Sequence, residues 1–347
     1  MPITTTPPIR TGQDCCYDDD GRPAPCAGSG QDGEWRDGLA WPTPRFVTQA
    51  ETVVDRLTDL TWSRRANPAV FPMAWQEALD FIAEMNAAQA LGHADWRLPN
   101  RRELHSLMDY QTKKPALPAH HPFLDVFLGW YWTSTTAAIN PRYAWHIHLE
   151  GARMFYGRKD QEALLWPVRG QGNGTLAATG QHHAHDTAGR IIAAQGSGQD
   201  GELRLGVAWP SPRFRDEGLT VLDRLTNLRW LKEADLTGRP VDWQGALAAV
   251  ADLNRRRLAG IDCWRLPTIN ALESLVDCSR HDPALPAESP FLQVREGYWS
   301  STTSFFETAW AWALYLDKGA LGVGYKPGKT FHVWAVTEAA APCRPRC

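Results

Sequence analysis

Apolar and polar positions along this chain recur with two periods, and each periodic stretch occurs twice. Trp75, Leu79, Ile82 and Met85 follow one another at spacings of four, three and three, and so do Trp243, Leu247, Val250 and Leu253. That spacing predicts an amphipathic helix with one buried face. A second helical stripe, Leu104, Leu107 and Met108, is matched by Leu272, Leu275 and Val276. Each of these is introduced by Trp-Arg-Leu-Pro, at 96–99 and at 264–267. The residue before a proline is driven out of the α region, so Asn100 or Thr268 is placed to cap the helix. Glu103 completes a capping box in the first copy, and Asp242 caps the earlier helix of the second.

Strand-like stretches fill the rest. Val53 to Trp62 and Val221 to Trp230 read as strand, turn and strand, with the turns at Thr58-Asp59 and Thr226-Asn227. After a proline-rich loop come Tyr131–Thr136 and Tyr298–Thr303, and then an alternating strand, a glycine turn and a closing strand in each copy. Alternation sorts the last sheet into two faces. Trp145, Ile147 and Leu149 form the inward set, matched by Trp312, Leu314 and Leu316. The outward set is His146, His148 and Glu150 against Ala313, Tyr315 and Asp317. The outward positions have diverged while the inward ones stayed apolar, which is the pattern of a scaffold displaying a changeable face. Tyr143 and Trp310 precede these strands. Arg153, Tyr156, Arg158 and Lys159 follow in the first copy, and Tyr325, Lys326 and Lys329 in the second. Together these residues form the candidate ligand-binding surface, since aromatic and cationic groups suit glycan stacking and contacts to carboxylate or sulfate.

The repeat organises nearly all of the 347 residues. Trp96 and Trp264 stand 168 positions apart, too long a period for a solenoid unit, so each copy is expected to be a domain. The expected order is a Thr/Pro-rich tail at 1–10, repeat one at 11–170, a Gly-rich linker at 171–178, repeat two at 179–340 and a Cys/Pro tail at 341–347. Of 17 tryptophans, seven pairs hold equivalent places: Trp41/Trp209, Trp62/Trp230, Trp75/Trp243, Trp96/Trp264, Trp132/Trp299, Trp145/Trp312 and Trp166/Trp334. Retention in both copies assigns them to the shared core. Trp35, Trp130 and Trp310 have no such counterpart and are freer to sit at a surface.

Charge and cysteine content narrow the function classes. With 36 Lys and Arg against 39 Asp and Glu, the net charge of −3 supplies no long-range field for nucleic acid. No apolar run approaches the roughly 18 residues of a membrane span, and Met1–Pro8 lacks the basic and apolar regions of a signal peptide. The seven cysteines have no cysteine at the equivalent place in the other copy, so they are read as local staples or thiols. Cys15 or Cys16 with Cys26, and Cys343 with Cys347, are the expected pairs.

Candidate chemistry is sparse. Gly28–Glu34 and its identical copy Gly196–Glu202 spell G-x-G-x-x-G, but no strand is expected before them and no helix after them, so they are read as bends presenting Asp32 and Asp200. Calcium is a candidate ligand there. His182, His183 and His185 are a second candidate metal cluster. Arg101-Arg102 and Arg255–Arg257 are read as solvated helical faces, and Ser134 and Ser301 have no histidine paired with them in both copies.

The motifs in order are Thr-Gly-Gln, Trp-Pro-x-Pro-Arg-Phe at 41–46 and 209–214, Asp-x-Leu-Thr-x-Leu-x-Trp, Trp-Arg-Leu-Pro, Pro-Ala-Leu-Pro, Tyr-Trp-x-Ser-Thr-Thr and Trp-Pro-Val-Arg at 166–169. This series resembles two copies of the Lcl C-terminal domain, the family named after a bacterial collagen-like adhesin. The second copy departs from it by ending in Trp334-Ala335-Val336-Thr337. The resemblance implies an α+β fold of two tandem C-type-lectin-like domains, each with two helices and a terminal antiparallel sheet. It also implies a non-catalytic binding or adhesive role toward glycans or cell-surface proteins, an extracellular or cell-surface location and no resident cofactor. Self-association into a homo-oligomer or surface assembly is the alternative. Sulfatase-modifying enzymes share the lectin-like fold and an Arg-Leu-Pro-Thr segment, here 265–268, but their chemistry needs cysteines near the domain end, where the first copy has none.

Overall fold

The computed structural model describes residues 5–339; the longer helices and the Trp-Arg-Leu-Pro helices fall where the spacing puts them, whereas Asp32–Trp35 and Asp200–Leu203 form short helices where none is expected, and Met154–Arg158 and Ala320–Tyr325 form strands that the patterns do not predict. The α-helices are α1 (Asp32–Trp35), α2 (Trp75–Ala87), α3 (Arg101–Ser106), α4 (Asp200–Leu203), α5 (Trp243–Arg256) and α6 (Ile269–Ser274). The expected caps are made. Asn100 accepts the Glu103 amide at 3.0 Å while the Glu103 carboxylate takes the Asn100 amide at 2.8 Å. Thr268 accepts from Ala271 at 3.1 Å, and Asp242 from Gly245 at 2.7 Å. Among the described residues no helix is long and apolar enough to cross a membrane.

Two compact units divide the chain, and the architecture is α+β in each. The leading unit takes Trp41–Ala208 with Asp277–Ser279. The trailing unit takes Trp209–Val276, the described residues from Arg280 onward, and the opening stretch up to Ala40. These units do not follow the repeats. Each body is completed by the opening segment of the other repeat, so positions 170 and 179 are not boundaries between compact units.

The expected linker at 171–178 is accordingly held against the leading body. Asn173 donates its backbone amide to Thr58 O at 2.9 Å and its side-chain amide to Leu57 O at 3.1 Å, and Thr175 reaches the same Leu57 carbonyl. The described part of the expected tail is also packed. Thr6 donates to Leu225 O at 2.6 Å, and Ile9 is buried. The first four residues and the Cys/Pro tail, with the expected Cys343–Cys347 pair, lie outside the described residues.

Each body has a small antiparallel sheet and a longer-stranded one. In the leading unit Phe46–Gln49, Thr52–Asp55, Leu60–Ser63 and Val168–Arg169 are neighbours in that order. Phe214–Asp216, Thr220–Asp223, Leu228–Leu231 and Val336–Glu338 repeat it in the trailing unit. The hairpin turns over at Asp59 and Asn227, with φ of 58° and 59°, the left-handed region these side chains tolerate. Beneath each hairpin lies a buried two-pronged ion pair. Arg45 meets Asp55 at 3.0 and 2.8 Å, and Arg213 meets Asp223 at 3.0 and 2.7 Å. Trp41 and Trp209, half-buried, cover these guanidinium groups. The other six tryptophan pairs are no more than 2 % exposed and form the cores, whereas Trp41 and Trp209, also expected there, lie outside them.

Candidate ligand-binding surface

The longer-stranded sheet carries most of the candidate residues. Trp130–Thr136, Tyr143–His148 and Met154–Arg158 run antiparallel in the leading unit, and Gly297–Thr303, Trp310–Tyr315 and Ala320–Tyr325 in the trailing unit. Trp145, Ile147 and Leu149 are buried as expected, and so are Trp312, Leu314 and Leu316. Over Trp145 lies the Arg101 guanidinium at 4.1 Å. Arg101 and Arg102 are therefore buried rather than on a solvated face, and Arg102 donates to Ala178 O at 2.8 Å. The run Arg255–Arg257 is exposed and paired with Asp252 and Asp262.

The opposite face of the sheet is not open along its length. His146 is only 9 % exposed and Ala313 is fully buried. In the leading unit α2, Ala163 and Leu165 cover the sheet centre, packing on Trp132 and Ala144. His146 stacks against Trp130 at 3.9 Å and Trp132 at 5.4 Å, and burial pushes its imidazole pKa down to about 3. It is a neutral core ring, not a ligand contact. The trailing unit fills the same space differently. Gly297 and Ala313 replace Trp130 and His146, Phe331 replaces Ala163, and the Phe331 ring packs on Trp299 at 4.7 Å and Tyr315 at 5.3 Å. Gly324 has to be glycine here, because a Cβ would lie 2.4 Å from Phe331 Cε2. The divergence of these positions is thus partly repacking.

Lys159 and Lys326 are also inside, at 1 % and 0 % exposure. Each ammonium lies over an indole, Lys159 on Trp75 at 3.9 Å and Lys326 on Trp243 at 4.2 Å. Each also donates to carbonyls of the docked opening segment: His185 and Asp186 for Lys159, Tyr17 and Asp18 for Lys326. Burial pushes their pKa values down to about 7 and about 8.

Asp32 and Asp200 serve the same docking and present no carboxylate to solvent. Asp32 accepts from Thr11 at 2.8 Å and Thr302 at 2.6 Å, and Asp200 from Thr179 at 2.7 Å and Thr135 at 2.6 Å. Gln13 and Gln181 lock the segments by pairing both amide ends with the backbone of Thr303 and Thr136, as a neighbouring strand would. Cys16 and Cys26 form a disulfide in the first segment, while Cys15 and Cys278 are thiols. His182 and His183 are exposed, and the His183 and His185 rings stand 6.4 Å apart. Among the described residues no group of three or more His, Cys, Asp or Glu is placed to hold a metal ion.

The two buried aspartates make the fold sensitive to pH. Burial pushes each carboxyl up to about 6, above its unfolded value of 3.8. The folded chain therefore binds more protons between about pH 4 and pH 6, and stability falls as pH rises through that window. Replacing both with asparagine, Asp32→Asn and Asp200→Asn, should flatten the fall, by roughly 2–3 kcal/mol per carboxylate. Denaturant midpoints measured from pH 4 to 7 check this. Lys159 and Lys326 act in the opposite sense, since stability lost as pH falls toward their folded values returns above them.

The turn between the second and third strands of each long-stranded sheet stays accessible, as does the far end of the strands. In the leading unit Arg153 is exposed with its guanidinium 5.9 Å from the half-buried Trp130 ring, and His148 meets that ring edge-on at 4.8 Å. Lys114 pairs with Glu150 at 2.9 Å. In the trailing unit Lys318 lies 5.3 Å over the half-exposed Tyr315 ring and 3.4 Å from Asp317. Each unit thus places an aromatic ring, a cation and a carboxylate at the same turn, built from different residues. At the far end of the strands Tyr143 and Tyr156 form an edge-to-face pair at 5.7 Å beside the Arg158–Asp160 ion pair, and Trp310 packs on the exposed Tyr325 at 5.5 Å. Lys329 is exposed beyond them. Trp130, Lys114 and Lys318 were missed in the outward set because alternation alone does not show which neighbouring strand or loop leans over a turn.

The family model described as the Lcl C-terminal domain matches this chain twice, at residues 51–169 and 219–337. No curated protein matches it.

Proposed function

Because the chain belongs to the Lcl C-terminal domain family and carries that domain twice, we propose that it is a non-catalytic binding protein. It presents one ligand platform per unit at the sheet turn. The observation that carries this reading is the recurrence of ring, cation and carboxylate at equivalent turns from unlike residues: Trp130, Arg153 and Glu150 in one, Tyr315, Lys318 and Asp317 in the other. An aromatic face stacks on the apolar face of a sugar, and the flanking charges bond hydroxyl, carboxylate or sulfate groups. Surface glycans or glycosylated cell-surface proteins are therefore the ligand class. The two platforms differ in ring and cation, so their ligands differ.

The remaining chemistry supports binding rather than turnover. Ser134 and Ser301 are buried in the sheet, and Ser134 donates to Pro99 O. The buried Lys, Asp and Gln side chains are spent on holding the opening segments. A cell-surface or extracellular address is supported by the Cys16–Cys26 disulfide, which persists in oxidising compartments.

A glycan array probed with the intact protein tests the proposal. Arg153→Ala with Glu150→Gln, and Lys318→Ala with Asp317→Asn, should each abolish binding to a different subset of glycans. Stability should stay within about 0.5 kcal/mol, as for ordinary surface changes. If both variants keep the full wild-type profile, the turns are not the platforms. No binding to any glycan would instead redirect the search to protein ligands.

A further inference from the structure

Each body buries an arginine from its Trp-Arg-Leu-Pro motif, and the two arginines find their carboxylates in different places. Arg97 is held two-pronged by Glu103 on α3, at 2.6 and 2.7 Å, with both side chains under 10 % exposed. At the position of Glu103 the second body has Ala271, so the place that serves Arg97 holds no carboxylate for Arg265. Arg265 pairs instead with Asp37 of the docked opening segment. In the segment docked on the leading body, the place of Asp37 is taken by Leu205. At these two positions the carboxylate thus comes from the helix in one body and from the segment in the other.

This distribution matches only the exchanged arrangement. Docked on its own repeat, Asp37 would enter a buried site where Glu103 already neutralises Arg97, and two carboxylates would crowd together. Leu205 on its own repeat would leave Arg265 buried without a carboxylate, a strongly unfavourable state. A second contact points the same way. Tyr17 of the first segment meets Phe305 edge-on at 6.4 Å in the trailing unit, while the corresponding positions in the leading unit are His185 and Ala138. We propose that Asp37, read by Arg265 against Ala271, is the selector that sends each opening segment to the body of the other repeat. The surface around Arg265, Ala271 and Phe305 is thus a recognition site for a segment bearing an aspartate at 37 and an aromatic ring at 17.

Three variants of the full chain test this. Asp37→Leu should strip hydrogen-exchange protection from residues 11–33 and lower the unfolding midpoint of the trailing unit by roughly ten degrees. Asp37→Leu with Ala271→Glu should restore both, because a glutamate at the third helical position repeats the Arg97–Glu103 geometry. Glu103→Ala with Ala271→Glu reverses the match, and its segments should return to their own repeats. A photoreactive phenylalanine in place of Tyr17 reads the outcome, labelling residues near Phe305 in the wild type and near Ala138 in the reversed variant. Unchanged protection in Asp37→Leu, failure of Ala271→Glu to rescue it, or labelling near Phe305 in a folded reversed variant would each overturn the proposal.

Discussion

Replacing Asp55 with alanine is expected to destabilise the leading unit by about 3–5 kcal/mol, and Asp223→Ala to do the same to the trailing unit. Arg45 is 6 % exposed and Arg213 equally so. Each gives two prongs to its aspartate and a further hydrogen bond to a helix-end carbonyl, Ser106 at 2.6 Å or Ser274 at 2.7 Å. The aspartate in turn accepts the Leu57 or Leu225 amide at 3.0 Å and the hydroxyl of Thr58 or Thr226, which fixes the hairpin turn. Alanine would leave a guanidinium buried without its counter-charge and two donors at the turn without an acceptor. For units of this size that corresponds to a fall of roughly 6–20 °C in Tm. Because the pair is buried, the loss should persist in 1 M salt, where an exposed pair would be screened. Scanning calorimetry at low and high salt checks both points.

The second large effect is expected at two glycines whose backbone angles are ordinary. A Cβ on Gly201 would stand 2.0 Å from the His183 carbonyl oxygen and 2.4 Å from its carbon, and one on Gly33 would stand 2.5 Å from Cys15 O. The obstacle in each case is main chain, which cannot swing aside like the end of a long side chain. Gly33→Ala and Gly201→Ala should therefore break the compact fold of their opening segments, at about 3 kcal/mol or more, the upper end of overpacking. Gly196 is the control. It has φ of 77° and open space around it, so Gly196→Ala should cost only about 1 kcal/mol of backbone strain. Denaturant titration of the three variants separates crowding from strain.

Much of the scaffold was legible because its signals are local. The spacing of Trp75, Leu79, Ile82 and Met85 needs only a helix to explain it, and a proline at 99 or 267 forces the cap that Asn100 or Thr268 supplies. Six of the seven tryptophan pairs were assignable to the core because a duplication shows which indoles both copies keep, while Trp41 and Trp209 are kept to cover an arginine. The sheet faces were legible only by half. Alternation established that Trp145 and Ile147 share a side, but it could not show that α2 and residues near 163–165 cover the other, so His146 was expected in solvent. Lys159 and Lys326 misled for the same reason, since nothing local marks a lysine whose ammonium is met by an indole and distant carbonyls. The exchange of opening segments was hidden most deeply. Two bodies of the same fold offer equivalent seats, and nothing in a local pattern tells which seat the Thr-Gly-Gln segment takes.

The exchange also sets a timetable for synthesis. The contact between Asp200 and Thr135 spans 65 residues, so the leading unit has all but three of its residues once position 208 has left the ribosome. The contact between Asp32 and Thr302 spans 270 residues, so the earlier of the two segments must wait until the strand that carries Thr302 is made. Closing the longer loop costs only about 1 kcal/mol more entropy, so the delay weighs on kinetics rather than on final stability. During that interval the Thr-Gly-Gln segment and its half-finished seat are both exposed on the nascent chain. Slowed elongation is therefore expected to lengthen the time for which both stay uncovered.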